Sequence, residues 1–132
     1  MKNISTVLAV CGSMLLTAIP IAAHHSFEAE YDRTQKVTLK GTVTRVEWQN
    51  PHVYYYVDVT DPNGTVVNWA IEVGAPNGLY RAGWRKDSLK IGDQVTVEGF
   101  RAKAGGPHIN GNSVVLANGK KVFNGTADQT AN

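Results

Sequence analysis

Sulfur is nearly absent from this chain of 132 residues: its one cysteine and two methionines are Cys11, Met1 and Met14, all close to the N-terminus. A single thiol cannot close a disulfide within the chain, and no paired-Cys, H-x-H or H-E-x-x-H spacing is present. A dominant charge is missing as well. Thirteen Lys and Arg face 11 Asp and Glu, and Arg85-Lys86 and Lys120-Lys121 are the only adjacent basic pairs. Nucleic acid needs a clustered basic face, so it is not an expected partner. The Gly-rich stretch from Ala102 to His108 also lacks the Lys-Ser/Thr of a phosphate-binding loop.

Only one long apolar run occurs, from Val7 to Ile21, interrupted by Gly12, Ser13, Thr17 and Pro20 and preceded by Lys2. Residues 1–23 read as a secretory signal, cut after Ala23 with Ile21 at the −3 position. A membrane anchor would need about 20 apolar residues and stronger flanking charge. Lipidation at Cys11 is disfavoured because Val10 replaces the small residue wanted there and Leu15, Leu16 and Ile19 prolong the run. The expected product is periplasmic or secreted, has no membrane anchor, and begins at His24. An α-amine and an imidazole on one residue can chelate one metal ion. Cleavage also removes all sulfur, so a metal site would use imidazole, amine and carboxylate, which suit Cu(II), Zn or Ni better than Cu(I).

The remainder is β-patterned. Residues 24–36 read as an extended segment, 37–123 as one small domain and 124–132 as a disordered tail. Val37, Leu39, Gly41 and Val43 alternate with polar residues, then the period slips so that Val46 and Trp48 are apolar, the mark of a bulge or bend. Val53, Tyr55, Val57 and Val59 form the inner face of a second strand. The turn Asp61-Pro62-Asn63-Gly64 leads to Val67, Trp69, Ile71 and Val73, the inner face of a third. Pro76 opens a short helix to about Gly83. Val95, Val97 and Phe100 mark a fourth strand, Ser113 to Leu116 a fifth, and Asn118-Gly119 a tight turn toward Val122-Phe123. Three strands, one helix and two strands is the order of an OB-fold, a five-stranded Greek-key barrel. A generic five- or six-stranded sandwich is the alternative. Trp48, Trp69 and Trp84 are expected in the core.

His24-His25-Ser26-Phe27, Asn50-Pro51-His52, Trp69-Ala70-Ile71-Glu72, Arg81-Ala82-Gly83-Trp84 and Leu89-x-x-Gly92-Asp93 together resemble a family of small exported bacterial proteins of unknown function. The resemblance implies one periplasmic domain and brings no activity, ligand or catalytic residue with it.

Functional candidates come from the residues. In an OB-fold the loop joining strands one and two and the loop joining strands four and five flank the ligand face, and these carry His52 and His108. Tyr54 and Tyr56 share the non-core face of strand two, where rings can stack on a ligand, or else pack on Phe27 or Tyr31. The leading expectation is a non-catalytic periplasmic module binding an unknown small ligand or protein through His52, Tyr54, Tyr56 and His108. The alternative is a copper or zinc protein using His24 and His25 with His52 or His108. Against it, each histidine also has a bland reading as a strand-end donor, loop residue or free terminus. No enzyme is expected, because Ser26 beside His25 is no triad and the other acids read as surface. A copper oxidase would follow only from a true histidine brace.

Overall fold

The computed structural model of the protein describes residues 27–124. Residues 1–26, which include the expected signal and cut site, His24 and His25, and residues 125–132, the expected tail, lie outside the described residues. Six strands and two short helical segments make the fold all-β. The strands are β1 (Tyr31–Glu47), β2 (Val53–Thr60), β3 (Val66–Gly74), β4 (Gln94–Ala102), β5 (His108–Leu116) and β6 (Lys121–Asn124). Helix α1 (Pro76–Arg81) falls between β3 and β4, and a helical turn covers residues 27–30.

The sheet runs β3-β2-β1-β4-β5-β6, and a parallel pairing of β3 with β5 joins Ala70–Glu72 to His108–Asn110. The other pairings are antiparallel. Strand β1 serves two partners: Tyr31–Thr42 pairs with β4, and Thr42–Glu47 pairs with β2. Its register shifts between Val43 and Arg45, where the sequence alternation slips. Gly41 permits the close approach of β1 to β2, since a Cβ there would lie 2.0 Å from the Asp58 carbonyl oxygen. The β2–β3 turn closes on Asp61, whose Oδ1 accepts from the amides of Asn63 and Thr65, both at 2.9 Å.

The interior holds Val43, Val53, Tyr55, Val57, Ile71, Val73, Val95, Val97, Ile109 and Val114, each at most 4% exposed. Leu79 of α1, with Trp84 and Leu89 after it, extends that core. Three expectations need correction. Val67 and Trp69 are only partly buried, because β5 meets β3 from Ala70 onward and the first half of β3 borders an open groove with Thr38 and Val59. Trp48 is also half-buried, its ring 5.4 Å from that of Tyr80. Finally, the segment before Val37 is not simply extended. It makes a helical turn and enters β1 at Tyr31, and a register shift between Asp32 and Lys36 erases the alternation that would have revealed the strand.

Candidate functional site

Glu72 is the centre of the site. On β3 it alternates with Ile71 and Val73, which are fully buried in the core, so its carboxylate projects from the opposite face. That face is covered too, and Glu72 is only 3% exposed. Tyr54 stands directly across from it in the β2–β3 register. His52 precedes β2 and sets its Nδ1 against Glu72 Oε1. Tyr31, at the start of β1 and 2% exposed, donates its hydroxyl to Glu72 Oε2. His108 opens β5, with Nε2 at 3.0 Å from the Tyr31 hydroxyl and 3.9 Å from Glu72 Oε2.

Donor and acceptor counting fixes the tautomers. An ionised carboxylate only accepts, so His52 Nδ1 carries the hydrogen it shares with Oε1. Tyr31 spends its single proton on Oε2 and can only accept from His108, whose Nε2 therefore carries hydrogen. In their neutral forms both imidazoles point a lone pair away from Glu72: Nε2 of His52 and Nδ1 of His108. The side chains of His52 and His108 are 39% and 36% exposed, so each reaches solvent.

The electrostatics agree with this arrangement. Burial pushes the Glu72 carboxyl up, but hydrogen bonds from His52, Tyr31 and Tyr54 outweigh it and hold the group below the usual carboxylate range. Its hydrogen bond to Glu72 raises His52 above the ordinary imidazole value, against a smaller opposing effect of burial. Burial, followed by Glu72, raises the phenols of Tyr31 and Tyr54, which stay protonated as donors.

The N-terminal segment is pinned beside this cluster. Phe27 is 6% exposed, its ring 5.3 Å from Tyr31 and 6.1 Å from Phe100. The Lys103 amide donates to the Glu30 carbonyl at 2.8 Å. A shallow pocket of about 280 Å³ lies between this segment and the β4–β5 connection, lined by Ala29, Glu30, Tyr31, Ala102, Ala104 and His108. Close contact of β4 and β5 positions the latter: a Cβ on Gly99 would lie 2.2 Å from the Asn110 carbonyl oxygen. Asn110 aligns with Glu72 across β3–β5 and is 1% exposed, and its side-chain amide has no hydrogen-bond partner among the described residues.

Of the residues singled out from sequence, His52, Tyr54 and His108 come together here. The His108 ring lies 6.1 Å from Tyr54 and 5.5 Å from Tyr31. Tyr56 stacks on Tyr54 at 6.5 Å but is held by β1, with its hydroxyl 3.1 Å from Glu47 and Arg45 3.7 Å above its ring. His24 and His25 lie outside the described residues. Sequence reasoning missed the partners that organise the cluster, Glu72 and Tyr31. Glu72 passed for a surface acid, although counting outward from the Asp61–Gly64 turn pairs it with Tyr54. Tyr31 gave no comparable signal, because its link to Glu72 spans distant strands.

Among the described residues no group of three or more His, Asp or Glu is spaced to hold a metal ion, and no helix is long and apolar enough to cross a membrane. No curated protein matches the chain. A family match does exist, and its span contains every residue of the cluster, from Tyr31 to His108. Over residues 13–111 the chain matches, and so belongs to, the family of unknown function DUF6152.

Proposed function

We propose that the protein is an exported, non-catalytic binding module of OB-like architecture, whose ligand face is the rim formed by His52, Tyr54 and His108. The observation that carries this reading is the burial of Glu72 beneath that rim. A buried carboxylate is costly unless hydrogen bonds and charge compensate it, and here the buried Tyr31 and the solvent-facing His52 do so together. The carboxylate thereby orients His52 directly and His108 through Tyr31, and the free nitrogens of both rings are available to a ligand.

The OB-like reading is supported by the pairing circuit β1–β2–β3–β5–β4–β1, in which each strand bonds to the next and the bent β1 serves both halves. The His52 and His108 connections flank the ligand face of such a barrel. Export to the periplasm or beyond the cell is supported by the charge-poor apolar segment ending at Ala23.

The expected ligand is small, with an apolar part suited to the Ala29–Ala102–Ala104 pocket and a donor for His108. Screening a small-polar-metabolite library by amide and imidazole NMR tests the reading. It expects shifts confined to His52, Tyr54, His108 and their neighbours, lost in Tyr54→Ala. Binding elsewhere, or none across the library, contradicts it.

A further inference from the structure

We infer that the pocket between the turn at residues 27–30 and the β4–β5 connection takes a small primary ammonium ion carrying a compact apolar group, its N–H groups bound by His108 Nδ1 and the Glu30 carboxylate. This names the ligand class of the binding-module reading and rests on it.

The first ground is the lining. Ala29, Ala102 and Ala104 supply its apolar part, and Glu30, Tyr31 and His108 its polar part. Those three polar side chains offer acceptors only. Tyr31 commits its hydrogen to Glu72, His108 commits its Nε2 hydrogen to Tyr31, and an ionised carboxylate cannot donate. A ligand must therefore bring the hydrogens, and an anion meets no donor among these side chains. The volume of about 280 Å³ equals that of about nine waters at about 30 Å³ each, so the ligand is small.

The second ground is charge. Among the described residues no ion pair neutralises Glu30. The cations of this region are engaged elsewhere: Arg33 Nε lies 2.6 Å from the Glu28 carboxylate, and the Lys103 ammonium donates to the Glu28 carbonyl. The Glu30 charge adds to the raising of Tyr31 and Tyr54, after burial and Glu72, and to that of His52, after the Glu72 hydrogen bond, so it acts on the same cluster. Glu72 brings a second negative charge, its Oε2 3.9 Å from His108 Nε2. With neutral imidazoles the pocket is therefore electronegative, which selects a cation over an uncharged hydroxyl compound. A primary ammonium has three N–H donors, enough for His108 and Glu30 together, whereas a quaternary ammonium has none.

The test titrates the whole protein, at a pH where nitrogen NMR shows both imidazoles neutral, with benzylammonium, benzyltrimethylammonium, benzyl alcohol and benzoate. Calorimetry gives the affinity, and amide and imidazole NMR gives the place. Benzylammonium should shift His108, Ala102 and Ala104. Benzyl alcohol should bind about fivefold more weakly, benzyltrimethylammonium weaker still, and benzoate not at all. His108→Ala should cost benzylammonium about tenfold. Glu30→Gln should cost it about 1.5–5-fold and leave benzyl alcohol unchanged, a split that a merely structural role would not produce. Glu30 is exposed, so its variant should fold, and circular dichroism checks that both variants do. Equal affinity for benzylammonium and either benzyl alcohol or benzyltrimethylammonium, tighter binding of benzoate, or an ammonium preference untouched by Glu30→Gln overturns the inference. If benzylammonium shifts nothing while uncharged or anionic metabolites still shift Tyr54 and His108, only the ammonium assignment falls. If no compound of either set shifts them, the binding reading falls with it.

Discussion

Replacing Glu72 with Gln keeps the shape of the side chain and removes its charge. A charge-assisted hydrogen bond contributes about 1.5–3 kcal/mol against about 0.5–1.5 for a neutral one, so the buried Tyr31 contact alone loses about 1 kcal/mol. The His52 side chain is 39% exposed, and solvent screening limits its share to about 0.2–1 kcal/mol. Gln also turns one acceptor into a donor, which faces the hydrogen of either Tyr31 or His52, a conflict costing about 1–3 kcal/mol. A total near 2–5 kcal/mol follows, and its lower end shifts the melting temperature of a domain this size by about 8–16 °C. The pH profile sharpens the test in metal-free protein. Because Glu72 is held below its ordinary value of 4.5, its contribution is present above that pH and is lost as pH falls through the folded value. Because His52 is raised above 6.5, its contribution is present below that pH and is lost as pH rises through the folded value. The pair therefore stabilises most between pH 4.5 and 6.5. Thermal melts from pH 3.5 to 9 should show a lower and flatter profile for Glu72→Gln. A variant melting within about 2 °C of wild type, with the same profile, would refute this reasoning.

Other substitutions probe the frame around the site. Gly99→Ala should destabilise by about 1–3 kcal/mol in urea titration, since its Cβ would meet backbone rather than a side chain that can move. Val57→Asp should leave the domain unfolded by circular dichroism, because Val57 is 1% exposed and a charge there has no partner in the core. Asn110→Leu should raise stability by about 1–3 kcal/mol, as its amide bonds nothing among the described residues; lost binding in that variant would instead mark the amide as a ligand contact. Intact mass of exported material should begin at His24. A product retaining residues 1–23 would remove both the periplasmic placement and the free amine.

Much of the fold was legible because its signals are local. The Asp61–Gly64 turn, Pro76 at the start of α1 and the slip of alternation after Val43 each report on a few neighbouring residues. Val67 and Trp69 were misjudged because alternation tells which face a residue takes, not whether another strand covers that face. The site divides in the same way. His52 and His108 could be assigned to one rim from strand order alone. Glu72 needed the hairpin register, which was available but not applied to a carboxylate. Tyr31 depends on a bulged stretch of β1 and on its pairing with Ala102, a contact that no local pattern encodes.

The claim that Glu72 aims two imidazole lone pairs outward is open to direct measurement by nitrogen NMR of the histidine rings. Metal-free protein held above the pH at which His52 titrates should show His52 with hydrogen on Nδ1 and His108 with hydrogen on Nε2. Glu72→Gln should release His52 into a mixture of tautomers. A wild-type His52 carrying its hydrogen on Nε2 would contradict the account, because that ring would then point no lone pair away from Glu72.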